Sequence, residues 1–415
     1  MTRSVDCEVL VVGAGPAGVA AGITARRLGL DALVIDKARF PRDKTCGDGL
    51  TAGALRTLEA LGFDVRSVPS YVRVDEAVLV APSGRRVSLP LPTDGEHAGV
   101  VPRAELDDAL VRHARASGVD VRDGLGVTAL QQADDTGDAL VATLDDGTTV
   151  AARWVVAADG HYSPVRRLLD TVGPASRRAT ATPSDLGTWH AFRQYFDGVD
   201  DPRLWVLFDA ELLPGYAWVF PVGGGRANVG FGVLRDPHED APTGKRLAAQ
   251  WRSLLASDAL RDVLGRDAAP AATHRAWPIP ASYDRARLAS GRVLFTGDAA
   301  SVVDPMTGEG IAQALDTGVL AVRAIARDAT PDAVGARYRH SVELALGTDL
   351  RFAAALQRIL RVRFGAEGAI GAAGLTPWTR RNFARWMFED YPRAALFTPR
   401  RWGRGTFTRP GAYAG

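Results

Sequence analysis

Three glycines and one acid stand at spacings that decide backbone chemistry. Gly13, Gly15 and Gly18 lie in the run GAGPAG, and Asp36 closes a later apolar run. At this spacing Gly13 permits a tight turn, Gly15 lets the main chain approach a pyrophosphate, and Gly18 allows close packing of a helix on a strand. The helix opening there offers free N–H groups and partial positive charge to phosphates. A carboxylate at Asp36 accepts hydrogen bonds from two ribose hydroxyls and repels a 2′-phosphate. The elements that must position these groups are legible around them: Cys7 to Val12 reads as a buried strand, Val19 to Leu28 as a helix, and Ala32 to Ile35 as a second strand. Ala14, Pro16, Ala17 and Lys37 border the same turn and join the predicted cofactor contacts. The pattern predicts an adenine dinucleotide site and does not itself separate a flavin from a nicotinamide.

A second constellation lies far downstream. Arg292 to Thr296 reads as a strand and leads into Gly297, Asp298, Ala299 and Ala300, then Asp304, Pro305, the turn Thr307 to Gly310, and a helix from Ile311. This resembles the second FAD-contact motif of the p-hydroxybenzoate hydroxylase-like flavoproteins. The resemblance implies FAD, with Asp298 on its ribityl side and Gly308, Glu309, Gly310 and Ile311 presenting a helix N-terminus to the flavin N1 and O2. A positive helix end there favours reduction, because reduced flavin carries its negative charge near N1. Asp159 and Gly160, followed by Ser163 and Arg166, resemble the family's middle motif, and Arg103 resembles its arginine before a helix bordering the cofactor. Val127 is assigned to the cofactor as well.

Two further segments select a branch. Phe40 to Thr51 contains Cys46, Gly47, Asp48 and Gly49, and Leu213 to Gly232 contains Tyr216, Trp218, Phe220, Pro221, Gly230 and Gly232. Both resemble the geranylgeranyl reductase family, and with the flavin motifs the resemblance spans residues 5 to 330. Alternation puts Tyr216, Trp218 and Phe220 on one strand face, with Ala217 and Val219 on the other. That aromatic face is read either as core or as the wall of a slot for a flat or polyisoprenoid substrate, with Pro221 included among the substrate residues and Phe231 and Val233 extending the wall. Cys46 is read as a cofactor-site residue and, with Tyr216, as a candidate proton donor; a bound water is the third candidate. Cys7 reads as packing. Flavin-dependent halogenases carry a related tryptophan motif, but they depend on a lysine, and the interval from Thr51 to Gly244 contains none.

The resemblance implies saturation of carbon–carbon double bonds in an isoprenoid chain carried on a lipid, diphosphate or quinone. An isolated alkene accepts hydride poorly, so an acid must protonate the other carbon in a dry, well-aligned pocket. With a single dinucleotide fingerprint, the reductant is expected to be a transiently docking NAD(P)H or a small electron carrier. The competing readings are a monooxygenase acting on an aromatic or polyene compound, and a flavin-bound lipid carrier without turnover.

The expected fold class is α/β: a Rossmann-type FAD-binding domain (residues 1–72, 100–165 and 285–330) interleaved with a mostly antiparallel substrate sheet (73–99 and 166–284), plus a C-terminal helical, Arg- and aromatic-rich region (331–415). Strands are expected at Ala77 to Ala81, Thr188 to Phe196, Leu204 to Phe208, Trp218 to Pro221 and Asn228 to Leu234, a hairpin around Asp145 to Gly147, and one helix over Leu247 to Leu264. The 415 residues carry a net charge of +2, which gives no electrostatic footprint for nucleic acid. Two cysteines exclude a disulfide framework, no Cys/His pair has metal-ligand spacing, and a cytoplasmic location is expected. Residues 375 to 415 hold eight arginines against Glu389 and Asp390. They read either as a cap with a solvated basic face or as a peripheral membrane contact and mouth for a hydrophobic or lipid substrate.

Overall fold

The computed structural model describes residues 6–133, 138–172, 187–235, 243–283, 287–388 and 411–413. Cys7–Val12 is the spine of the first sheet. It pairs in parallel with Ala32–Asp36 on one side and with Thr149–Ala157 on the other. Asp120–Asp123 extends the sheet beyond Ala32–Asp36, and Val293–Phe295 extends it beyond Thr149–Ala157, both in parallel. Val9, Leu10 and Val11 are buried on both faces, as an unbroken apolar run in a parallel sheet requires. Each such side chain contributes on the order of 1.5–3 kcal/mol by leaving water. The expected hairpin forms from Leu140–Leu144 and Thr149–Ala157, the second strand running on to become the neighbour of Cys7–Val12.

Two helices cover one end of this sheet. Pro16–Arg27 opens at the glycine turn, and Ile311–Ile325 crosses it so closely that a Cβ on Gly318 would overlap the Ala17 carbonyl. That contact fixes the dinucleotide helix from behind.

The second sheet runs Ala269–Pro270, Trp189–Asp197, Arg226–Leu234, Tyr216–Gly223, Leu204–Leu207, Glu76–Val80 and Arg86–Pro90, with Arg275–Ile279 also paired to Trp189–Asp197. Its pairs are antiparallel except Leu204–Leu207 with Glu76–Val80. One face packs Ala217, Val219, Phe192 and Phe231 on Trp251 of helix Thr243–Ala256. The other faces the first sheet. A small third sheet of Gly49–Thr51, Ala98–Val100 and Val72–Arg73 has strands too short for alternation to reveal.

Three expectations are corrected. Phe231 pairs with Ala217, and Phe231 and Val233 belong to the helix-covered core rather than the aromatic wall. Pro221 is buried on that same side, as its odd-numbered place after Ala217 and Val219 dictates. The single helix over 247–264 is two, Thr243–Ala256 and Asp258–Leu264, because the Ser257 hydroxyl caps the second by accepting from Leu260 N–H.

After residue 330 the described chain is helical: Pro331–Val342, Thr348–Leu360, Arg363–Ala373 and Pro377–Phe388. Tyr338 donates to the Phe295 carbonyl at 2.7 Å, tying the first of these to the central sheet. Residues 411–413 return to the body of the protein, where Ala412 pairs with Glu96 and Tyr413 donates to the Phe63 carbonyl at 2.8 Å. Residues 389–410 and 414–415, with five of the eight tail arginines, lie outside the described residues.

Candidate active site

A cavity of about 660 Å³ runs between the two large sheets. At one end the glycine turn forms its wall. Gly13 has φ +105°, and a Cβ there would overlap the Ala158 carbonyl. A Cβ on Gly18 would strike the Gly13 carbonyl. Gly15 is different: a Cβ there would meet only the Arg42 side chain, at 3.5 Å, so its main chain is open to the cavity. Asp36 Oδ2 accepts the Ala14 N–H and Oδ1 the Ala38 N–H, both at 2.8 Å, which fixes the carboxylate in the cavity wall. Gly15, Pro16, Ala17 and Lys37 line the cavity. Ala14 and Gly18 sit behind the lining and act on the turn itself.

Arg103 and Arg42 also face the cavity, and sequence reasoning found only the first. Both bind one buried carboxylate: Asp107 accepts from Arg103 Nε and Nη2 at 2.8 Å and from Arg42 Nη1 at 2.9 Å. Two guanidiniums on one acid leave net positive charge beside the helix N-terminus, which suits phosphate. The Arg103–Asp107 spacing of four on a helix was available as a signal; the Arg42 contact joins residues 65 apart and had none.

Farther along, Val127, Asp159 and Gly160 line the wall. Asp159 Oδ2 accepts the Val165 N–H at 3.0 Å, while Oδ1 is buried without a protein partner. Burial pushes this carboxyl above its usual range. A buried acceptor left unpaired is unfavourable by about 1–3 kcal/mol, and a hydroxyl-bearing ligand would satisfy it. Ser163 and Arg166 stand behind the lining: Ser163 hydrogen-bonds Asp159 and accepts the Arg166 N–H, and the Arg166 guanidinium donates to the Ala299 carbonyl and knits the middle motif to the downstream one.

Asp298, Gly308, Glu309, Gly310 and Ile311 line the next stretch. Asp304 Oδ1 builds their turn by accepting the N–H groups of Met306 and Thr307, at 2.9 and 2.8 Å. The Tyr216 hydroxyl donates to the Thr307 carbonyl and the Thr51 hydroxyl to Glu309, so this turn is tied both to the aromatic strand and to the Cys46 loop.

Cys46, Gly47 and Gly49 face the cavity, with the Phe220 ring 3.4 Å from where Cβ atoms on either glycine would lie. Burial pushes the Cys46 thiol up while Arg103 opposes it, leaving a neutral thiol at neutral pH. Asp48 does not reach the cavity, which corrects its assignment as a cofactor contact. It is wholly buried at φ +66°, where Oδ2 accepts from Tyr195 at 2.6 Å and Asn228 at 2.7 Å, and Oδ1 from the Arg103 N–H at 3.2 Å. Asn228 also donates to the Cys46 carbonyl and accepts from Trp218 Nε1. Asp48 and Asn228 thus clamp the loop to the aromatic wall.

Tyr216, Trp218 and Phe220 all line the cavity, and Gly232 and Gly230 lie opposite the first two. Trp218 lies so low over Gly230 that a Cβ there would overlap the indole. The same Cβ would strike the Phe192 carbonyl, so Gly230→Ala is expected to displace Trp218 and the neighbouring strand and lower stability by about 1–3 kcal/mol, read as a fall in thermal midpoint; an unchanged midpoint would show that both can give way.

A family model described as an FAD binding domain matches residues 6–338. Menaquinone reductase of Mycobacterium tuberculosis is 37% identical over 331 residues, covering 77% of this chain and 76% of the relative. Digeranylgeranylglycerophospholipid reductase 2 of Methanopyrus kandleri is 30% identical over 367 residues, covering 85% and 86%. The chain belongs to the geranylgeranyl reductase family of FAD-dependent oxidoreductases. A solved geranylgeranyl bacteriochlorophyll reductase-like protein from Thermoplasma acidophilum has the same fold, with TM-score 0.74 and 22% identity over 95% of this chain and 98% of that one. In this geranylgeranyl reductase family member the cofactor is FAD. The open main chain at Gly15, the arginine pair on Asp107 and the unpaired Asp159 oxygen fit an elongated, phosphate- and hydroxyl-bearing group of that kind.

Proposed function

We propose that the protein saturates carbon–carbon double bonds in the isoprenoid chain of a hydrophobic lipid or quinone. The observation that carries this reading is the continuity of the cavity. Past Tyr216 and Trp218 it opens into an aliphatic chamber walled by Leu79, Leu204, Val206, Ile370, Phe383 and Met387, the last three from the C-terminal helices. Relatives named for menaquinone and for digeranylgeranylglycerophospholipid support it.

Reduced FAD, when bound, supplies the hydride for one alkene carbon. The chain's own residues align the alkene, exclude water and hold the proton for the other carbon. Cys46 and Tyr216, the two candidate proton donors, both line the wall beside the helix that opens after Gly310. Tyr216 already donates to Thr307, so Tyr216→Phe is expected to slow alkene reduction about 10-fold and leave the flavin spectrum as it was. Single-turnover kinetics of prereduced enzyme checks this; a rate equal to wild type assigns the proton elsewhere. The electrons are proposed to arrive from NAD(P)H docking transiently or from a small carrier.

The deciding assay is anaerobic incubation of photoreduced holoenzyme with a geranylgeranyl substrate, followed by mass spectrometry. Gain of hydrogen in 2 Da steps with reoxidation of the flavin is the expected result. Unchanged substrate mass, or products heavier by one oxygen atom only when O2 is admitted, would give the reaction to another class.

Peripheral membrane contact belongs to the same proposal, with a shift in place. No described helix is long and apolar enough to cross a membrane. Ile359 lines the cavity and is also exposed, and beside it stand Val362 and Phe364, the latter 90% exposed, among Arg358, Arg361 and Arg363. Apolar side chains amid arginines at a cavity mouth suit an anionic lipid surface. Phe364→Asp is expected to cut co-sedimentation with phosphatidylglycerol vesicles several-fold; equal partition of variant and parent argues for a solvated cap.

A further inference from the structure

The aliphatic chamber lies on one side of Tyr216. On the other side the cavity has a different character. Four neighbouring strands bring Trp277, Ala191, Gly232 and Tyr216 into one row, because Ala191 pairs with both Trp277 and Gly232, and Gly232 pairs with Tyr216. Directly paired residues point to the same sheet face, and all four line the cavity. With strands about 4.8 Å apart, the two aromatic residues stand three spacings apart, at roughly 14 Å. Between them the floor holds a methyl group and a hydrogen. A Cβ on Gly232 would meet nothing nearer than the His190 carbonyl at 3.9 Å, so no side chain rises from this part of the floor. The result is a flat-floored slot with aromatic ends, and Tyr162 stands edge-on to Trp277 at 5.3 Å.

Among the described residues, Lys44 is the cation that faces the slot. Lys44 Nζ lies 4.3 Å over the Trp277 ring and 3.8 Å from Asp298 Oδ2, too far for a hydrogen bond to that oxygen. Burial lowers its pKa while the Asp298 carboxylate opposes that shift, and its N–H donors can reach a carbonyl oxygen held over the floor of the slot. The two arginines of the cavity wall share the Asp107 carboxylate beside the glycine turn, where they serve the cofactor's phosphates. A phosphate or diphosphate calls for several cations or a bidentate arginine; a planar ring with carbonyl oxygens calls for flat aromatic walls and a single well-placed donor.

We propose that this slot is a headgroup subsite for a planar, carbonyl-bearing ring of the quinone class, with Lys44 donating to a ring oxygen and Gly232 keeping the floor low. The inference rests on the reductase reading above and names the headgroup that reading leaves open. The ring then sits on the Trp277 side, the chain passes Tyr216 and Trp218, and its tail enters the aliphatic chamber.

The test uses oxidised holoenzyme, so no chain need be reduced. It is titrated with a chainless probe, 2-methyl-1,4-naphthoquinone, and in parallel with a geranylgeranyl glycerol phosphate, following tryptophan quenching and the flavin spectrum. The expected result is saturable naphthoquinone binding that weakens tenfold or more in Lys44→Met and in Gly232→Val. FAD content and thermal midpoint should stay at wild-type values, and phosphate-lipid binding should move less than threefold. Loss of FAD from Lys44→Met would make Lys44 a cofactor residue and overturn the proposal. No naphthoquinone binding, or an equal loss for both ligands, overturns it too. Naphthoquinone binding without any saturation of a prenyl chain leaves the subsite standing and rejects the reductase reading, which keeps the two failures apart.

Discussion

Gly18→Ala is expected to yield a colourless protein. The added methyl would overlap the Gly13 carbonyl, and Gly13 cannot retreat because its own Cα faces the Ala158 carbonyl. The helix Pro16–Arg27 cannot slide outward either, since the Ala17 carbonyl is in contact with Gly318 of the crossing helix. Three glycines at close approach leave the turn one arrangement, and a displacement of about 1 Å at a positioned site is enough to lose orders of magnitude in function. Absorbance at 450 nm after purification measures it. Wild-type flavin content in a folded Gly18→Ala variant would mean that the helix repacks, and the account of the phosphate-binding turn would be wrong.

The second large effect is at Asp48. Its carboxyl is pushed up to about 6 from 3.8 by burial, against the pull of hydrogen bonds from Tyr195 and Asn228. The folded protein therefore holds this proton between about pH 4 and 6, where the unfolded chain has released it. Stability attributable to Asp48 falls as pH rises through that window and is level above it, a swing on the order of 3 kcal/mol. Asp48→Asn is expected to flatten this part of the profile, seen as the difference between variant and parent in denaturant midpoints at pH 4.5 and 7. Asp48→Ala is the severe change. It strands the Tyr195 hydroxyl, the Asn228 amide and the Arg103 N–H without their acceptor, at about 1–3 kcal/mol for each donor left buried, and it frees the Cys46 loop from the aromatic wall. Parallel pH profiles for Asp48→Asn and wild type would remove Asp48 from that role.

What was legible in the sequence is what the backbone demands locally. The glycine turn is a requirement on φ and on close approach, so residue type reveals it, Asp36 followed from its place at the end of the second strand, and the turn after Thr307 came from the family resemblance. Alternation placed Tyr216, Trp218 and Phe220 on the cavity side, and the same counting, carried one residue further, places Pro221 on the other. Phe231 needed the strand register, which pairs it with Ala217. The Ser257–Asp258 cap that divides one helix into two was present as a recognisable signal. Asp48, Arg42 and Lys44 were beyond reach for a shared reason: their partners lie at Asn228, Asp107 and Trp277, and no local pattern encodes a contact across 65 to 233 residues.

The placing of Cys7–Val12 at the centre of its sheet has a consequence for synthesis. Its strand partner Ala152 follows Cys7 by 145 residues. At about 5–20 residues per second on a ribosome, an apolar strand waits roughly 7 to 30 seconds before that neighbour emerges. The helix that braces the dinucleotide turn from behind, Ile311–Ile325, arrives later still. The newborn chain therefore spends that interval with one edge of an apolar strand unpaired, and slower translation lengthens the exposure.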